Sequence, residues 1–284
     1  MAHGVAVAPS LAKRRGAGMM RAVGIIETSG GAIGASIAGP DDGGGKTPIL
    51  FLHGVGSDRS VWQLQLDHFG RDRTAIAIDY PGYGDSAARP GVGRDGFARA
   101  AIETLDALGI DQAHICGLSL GGVVAIALHA LAPERCASLI LADTFAVHPD
   151  GRGIYERSVA GSANMAAMAE ARVPVLVDRH AGEKLRGELA AVMAAIDPAA
   201  FRQGAEAVWL ADQRARAAAI RVPTLVIVGA EDRVTPPALS NELASLVEGA
   251  TLVEIPEAGH LVNIERPDEF NRAINAHLTK NRLF

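Results

Sequence analysis

The stretch ICGLSLGG (115–122) runs from an apolar segment into a serine, Ser119, with glycines at Gly117, Gly121 and Gly122. A serine in an ordinary loop needs no such neighbours. One held on a sharp strand-to-helix turn does, because the backbone must bend and pack closely without clashes. Gly117-Leu118-Ser119-Leu120-Gly121 fits the pattern G-x-S-x-G, in which the serine stands at the tip of a sheet and the next N–H, that of Leu120, faces the same point. The competing reading is a serine that merely caps a helix. The surrounding sequence has to choose between them.

On both sides, apolar runs alternate with helix-like stretches. ILFLHG (49–54), TAIAIDY (74–80), AHICGLS (113–119), SLILADT (138–144), TLVIVG (224–229) and TLVEIP (251–256) predict strands. They lack in–out alternation, as expected of strands covered on both faces. Residues 97–109, 122–134, 236–247 and 267–278 predict helices between them. Alternation of this kind implies right-handed crossovers and a doubly wound, mostly parallel α/β sheet, with ligands at the carboxyl ends of its strands. The rhythm breaks over 145–220, where no core strand is predicted. There EKLRGELAAVMAAI (183–196) sets Leu185, Leu189, Val192, Met193 and Ile196 on one helical face, and Asp197-Pro198 starts a further helix through Trp209. The expected organisation is a mobile tail over 1–20, a core over 21–144 and 221–284, and an inserted helical cap over 145–220. Trp62 and Trp209 are expected to serve packing.

With a strand before it and a helix after it, Ser119 reads as a nucleophile, which needs a base and a carboxylate to orient the base. His260 follows the strand TLVEIP and Asp232 follows TLVIVG, so both belong to the same sheet edge as Ser119. Asp143 ends SLILAD at that edge too and is the alternative acid. The loop His53-Gly54-Val55-Gly56 follows ILFL; its histidine is expected to bond within the loop, and its Val55 N–H to join Leu120 N–H in an oxyanion hole. Gly82 to Ala87 resembles a dinucleotide fingerprint, but Ala88, Pro90, Gly91 and Gly93 stand where the phosphate-binding helix would begin. No cofactor and no metal site is expected, the remaining histidines lacking ligand spacing.

Composition narrows the partners. The 284 residues carry 27 Lys and Arg against 32 Asp and Glu, a formal net charge of −5. A slightly acidic surface has no general attraction for nucleic acid or anionic membrane. Cys116 and Cys136 lie in apolar runs, no apolar run reaches a membrane span, and a cytoplasmic location is expected. The expected partner is a small molecule; a homo-oligomer is left open.

HGVGSD (53–58), DYPGYGDS (79–86), GLSLGG (117–122), GAEDRVTPP (229–237) and AGH (258–260) together resemble the α/β-hydrolase superfamily over roughly residues 22–280. More closely, the chain is similar to the branch of 3-oxoadipate enol-lactonases and related carboxylesterases. The resemblance implies the α/β-hydrolase fold with a helical cap, the order Ser119, Asp232, His260, and hydrolysis of a small ester or lactone through an acyl-enzyme. Amide hydrolysis or cleavage of a vinylogous C–C bond on the same residues is the alternative, and a small-ligand receptor with little turnover the alternative of another class. Enol-lactonases act on a dicarboxylate-like substrate, which implies a cationic pocket. Residues 144–220, however, hold nine Lys and Arg and nine Asp and Glu. A mostly apolar pocket favouring neutral esters is therefore expected, unless one buried arginine among Arg152, Arg157, Arg172 and Arg179 supplies the charge.

Overall fold

The computed structural model describes residues 11–16, 19–41 and 43–283. Nine strands form one sheet: β1 (Leu11–Gly16), β2 (Met19–Thr28), β3 (Gly31–Pro40), β4 (Ile49–Leu52), β5 (Ala75–Ile78), β6 (Ala113–Leu118), β7 (Cys136–Ala142), β8 (Thr224–Gly229) and β9 (Thr251–Ile255). Their spatial order is β1-β2-β3-β5-β4-β6-β7-β8-β9. The six strands from β5 to β9 run parallel, and β1, β2 and β3 extend the sheet antiparallel. This is the doubly wound, mostly parallel sheet expected of the six apolar runs. Every residue of β4, β5, β6 and β8 is buried, which is why their sequences show no alternation.

The strand order reverses at β4. The chain passes from β4 to β5 on one side and returns to β6 on the other, leaving a crevice at the carboxyl ends of β4 and β6 where ligands of such sheets bind. The loop after β4 begins at His53 and the turn after β6 holds Ser119.

Eleven helices accompany the sheet among the described residues. The core set is α1 (Gln63–Phe69), α2 (Arg94–Ala107) and α3 (Leu120–Leu131), joined after β8 by α9 (Pro237–Leu246), α10 (Val262–Glu265) and α11 (Pro267–Lys280). Helix α2 packs on α3 and α1 on α11. Trp62, fully buried, stacks on Phe51 at 4.9 Å, the packing role expected of it.

Between β7 and β8 lie five helices: α4 (Gly151–Gly161), α5 (Met165–Leu176), α6 (Glu183–Ala195), α7 (Pro198–Trp209) and α8 (Arg214–Ala218). The Asp197 carboxylate caps α7 by accepting the Ala199 and Ala200 amides at 2.8 and 3.0 Å. Along α6 only Met193 is fully buried, with Ile196 just beyond it; Leu185, Leu189 and Val192 are half-exposed. That helix lies on the molecule rather than in it.

The expected mobile tail is corrected in part. Leu11–Gly16 pairs antiparallel with β2, and β2 begins at Met19; the rest of the expected tail, residues 1–10 and 17–18, lies outside the described residues. The outer edge of β2 would otherwise present a row of unpaired backbone groups, which a further strand satisfies. The β2–β3 hairpin turns at Ser29-Gly30, and its second strand, GAIGASIAGP, has a glycine- and alanine-rich composition that conceals a strand.

Candidate active site

The turn from β6 into α3 explains the glycines around Ser119. Ser119 has φ 55° and ψ −113°, a conformation that L side chains rarely adopt. Its N–H bonds to Ala142 O at 2.9 Å, and its own carbonyl accepts the Gly122 amide at 2.9 Å and the Thr144 hydroxyl at 2.8 Å, so the surroundings hold the strain in place. A Cβ on Gly117 would overlap Gly121 O, and one on Gly121 would overlap Leu52 O. Both glycines are needed for close approach of backbones rather than for an unusual φ. As the first residue of α3, Leu120 has an N–H with no carbonyl one turn back to receive it.

His260 stands in the loop after β9, held from three directions. Its amide bonds to Leu176 O at the end of α5 at 2.8 Å. The Glu265 carboxylate accepts the amides on either side, Gly259 at 3.0 Å and Leu261 at 3.2 Å, and also that of Asp178 at 2.5 Å, tying the loop to the chain leaving α5. The ring bonds through Nδ1 to Asp232 Oδ2 at 2.8 Å. That bond puts the proton on Nδ1 and leaves Nε2 as an acceptor.

Asp232 sits in the turn after β8. Its Oδ1 accepts the Val234 and Thr235 amides at 2.8 and 2.9 Å, and its Oδ2 also accepts the Thr235 hydroxyl at 2.7 Å. Burial favours the neutral acid, but the charge of His260 and the bonds from His260 and Thr235 hold the carboxyl below its ordinary range. Asp143 is placed differently. Its oxygens accept the backbone amides of Gly229 at 2.9 Å and Val262 at 3.2 Å, and it makes no bond to His260. Burial and the nearby Asp232 push its carboxyl well up. It clasps the end of β8 to the start of α10.

The loop after β4 lies beside this group. His53 is fully buried, with Nδ1 2.8 Å from Gly54 O and Nε2 accepting the Tyr80 amide at 3.3 Å. Burial pushes its pKa down, so it is a neutral imidazole donating to Gly54, as expected of a histidine bonded within its loop. Because the Gly54–Val55 peptide is trans, fixing the Gly54 carbonyl turns the Val55 N–H the opposite way. The Tyr83 hydroxyl holds the next carbonyl, Val55 O, at 3.2 Å.

Ser119, His260 and Val55 line one cavity of about 30 Å³, roofed by Leu176, Leu189 and Met193 from α5 and α6. Two further residues line it. Trp209 was expected only to pack; it does stack on Phe145, yet it also faces the cavity, and its buried indole N–H has no hydrogen-bond partner. Arg172 is the other, and of the four cap arginines singled out from the sequence it alone lines the cavity. Glu265 and Thr235 were not foreseen. The spacing Asp232-x-x-Thr235 carries the signal of an Asx turn, whereas nothing local marks Glu265. Among the described residues no group of three or more His, Cys, Asp or Glu could hold a metal, and no helix is long and apolar enough to cross a membrane.

The chain is 32% identical over 240 residues to 3-oxoadipate enol-lactonase 2 of Acinetobacter baylyi, covering 81% of this chain and 88% of that one. It is 32% identical over 254 residues to the dihydrolipoyllysine-residue acetyltransferase component of the acetoin cleaving system of Pseudomonas putida, of whose length it spans 65%. The crystal structure of the enol-lactonase from Burkholderia xenovorans LB400 superimposes with a TM-score of 0.84 at 27% identity, over 90% of this chain and 99% of that one. A family model described as the alpha/beta hydrolase family matches residues 49–273, from the start of β4 into α11, and the chain belongs to that family of enzymes.

Proposed function

We propose that the protein is a serine hydrolase that cleaves a small carboxylic ester or lactone, with Ser119 as nucleophile, His260 as base and Asp232 as acid. The observation that carries this reading is the buried Asp232–His260 bond, with His260 and the strained Ser119 lining one cavity. His260 Nε2 takes the Ser119 proton as Oγ bonds to the substrate carbonyl carbon, and the carbonyl oxygen becomes an oxyanion. Asp232 stabilises the imidazolium so formed. The Val55 and Leu120 amides receive the oxyanion; a donor of this kind is worth about 2.7–4 kcal/mol of barrier. The imidazolium then protonates the departing alkoxide, giving an acyl-enzyme. Water, deprotonated by His260, attacks that ester and releases the acid and free Ser119. In a lactone the alcohol stays tethered to the acyl group.

The helices of residues 145–220 form the cap in this reading, and substrate lies between them and the sheet. Ser119→Ala should fold like the parent and lose several powers of ten in turnover of p-nitrophenyl esters, since the backbone of the turn is retained while the atom forming the covalent bond is lost. A fluorophosphonate probe should label Ser119 alone. Labelling elsewhere, or turnover that survives in the alanine variant, overturns the assignment; a receptor without turnover would show neither labelling nor hydrolysis.

A further inference from the structure

Trp209 is the last residue of α7, and its ring is held from two sides. It stacks on Phe145, with ring centroids 5.8 Å apart and planes 16° from parallel, and meets His148 edge-on at 5.5 Å. His148 is itself pinned, Nδ1 accepting the Asp150 amide at 3.1 Å and Nε2 lying 3.4 Å from Val234 O, so it has no lone pair to offer the indole. Trp209 is 2% exposed and lines the cavity of Ser119 and His260, yet its N–H has no partner in the protein. A buried donor left unpaired is costly, and one kept on the wall of a binding cavity is a donor for what enters it. Ser57, in the loop after β4, adds a second buried group without a partner on the same cavity. A hydroxyl rotates and can donate or accept, whereas an indole N–H only donates and, with its ring clamped, in one direction. Trp209 therefore fixes what it can meet, which is an acceptor. The surroundings fix the charge of that acceptor. Arg172, the cation on the cavity wall, is half-buried and borders a groove between α4 and α5 that opens to solvent, so solvent shares its charge. Leu176, Leu189, Met193 and Leu261 make the wall around it apolar. An anion placed there against one neutral N–H loses more hydration than the bond returns; an uncharged oxygen loses far less.

We propose that Trp209 is a specificity-determining donor of this site: besides the scissile carbonyl, the substrate carries a second, uncharged oxygen acceptor, of ether or carbonyl type, that takes the indole N–H. This rests on the serine-hydrolase reading and names a substrate class within it. An unbranched alkyl ester of the same length fills the space but leaves the N–H unpaired, so the cost of the buried donor becomes a preference for the oxygenated substrate. Packing alone, the role expected of Trp209 from the sequence, gives the opposite preference, because a ring that only fills space favours a methylene over an oxygen.

Matched p-nitrophenyl esters in which an ether oxygen replaces one methylene test the proposal: 3-methoxypropanoate against pentanoate, 4-methoxybutanoate against hexanoate, and 5-methoxypentanoate against heptanoate. Each kcat/KM is divided by the ester's rate of alkaline hydrolysis, which removes the inductive effect of the oxygen. In the parent protein at least one pair should favour the ether by roughly 5- to 20-fold, the value of one neutral hydrogen bond to a buried donor. In Trp209→Phe, which keeps an aromatic ring and loses the N–H, that ratio should fall to one or below, and in Trp209→Leu likewise. Both esters of a pair are measured on the same variant, so a loss of packing cancels in the ratio. Smaller parent ratios in all three pairs, a preference that survives either substitution, or a mono-p-nitrophenyl glutarate that outruns all three ethers overturns the proposal and leaves the hydrolase reading intact. If no ester is turned over and fluorophosphonate leaves Ser119 unlabelled, the hydrolase reading fails, and the indole N–H signals of the two tryptophans, Trp62 and Trp209, decide the subsite by themselves in a proton–nitrogen correlation spectrum. A downfield shift of the Trp209 signal with one of the methoxyacyl methyl esters, and not with its alkyl counterpart, sustains the proposal. A signal that stays in place, or moves alike with both, overturns it.

Discussion

Asp143 and Asp232 are separated by one strand and show how surroundings give two identical side chains different work. Both are buried and both accept two backbone amides, but Asp232 alone reaches the imidazole of His260. Asparagine in place of either keeps the shape, and at Asp232 it removes the charge. Asp232→Asn should cost up to about 10⁴ in turnover by failing to stabilise the imidazolium. Asp143→Asn should act chiefly on stability, because an amide cannot accept at both the Gly229 and the Val262 N–H. Steady-state kinetics and melting curves on the two variants check this, and a severe kinetic loss confined to Asp143→Asn would exchange their roles. Glu265 belongs to the same lesson. Its carboxylate organises the loop of His260 through the amides of Gly259 and Leu261, contacts that no local pattern announces.

Helices α3 and α6 are opposite cases of how an element is held. Residues Leu120 through His129 of α3 are all buried, whereas α6 buries Met193 alone and leaves Leu185, Leu189 and Val192 half-exposed. The apolar spacing of α6 is nevertheless what marks it as a helix in the sequence, so periodicity reports the face and not the depth of burial. With few buried contacts, α6 should open far more readily than α3. Amide hydrogen exchange should be fast along α6 and slowest in α3 and β6, and equal protection of the two helices would refute the ranking. Met193 roofs the cavity and is the one residue of α6 that lies fully buried, at 1% exposure. Met193→Ala should cost about 2–5 kcal/mol of local packing at most and should raise kcat/KM for octanoyl relative to butyryl p-nitrophenyl esters.

Across the molecule, six of the nine histidines, His53, His68, His114, His129, His148 and His277, have pKa values pushed down by burial. His114 is the extreme, fully buried between β6 and β7 and lowered from 6.5 to about 3. A group whose folded pKa is depressed contributes stability that is complete above its unfolded pKa and is lost as pH falls toward the folded value. The window here opens near pH 6.5 and extends down to about 3 for His114. Between pH 7 and 5.5 that residue alone should remove about 1 kcal/mol. The melting temperature should therefore fall steadily below pH 6.5, and His114→Gln should flatten the decline. A melting temperature independent of pH between 7 and 5 would contradict this.

The six parallel strands and the helices between them are legible in the sequence because a strand buried on both faces must be apolar throughout, and that is a local property. Ser119, His260 and Asp232 are legible as a set because each follows an apolar run, and the ends of parallel strands share one edge. The hairpin β2–β3 and its partner β1 are not legible, since glycine- and alanine-rich strands become strands by being paired. Which aspartate meets His260, that Glu265 holds the histidine's loop, and that Arg172 lines the cavity without an acid beside it were decided only by tertiary structure. Each depends on the distance between side chains far apart in the chain, and a balance of nine charges against nine fixes none of those distances.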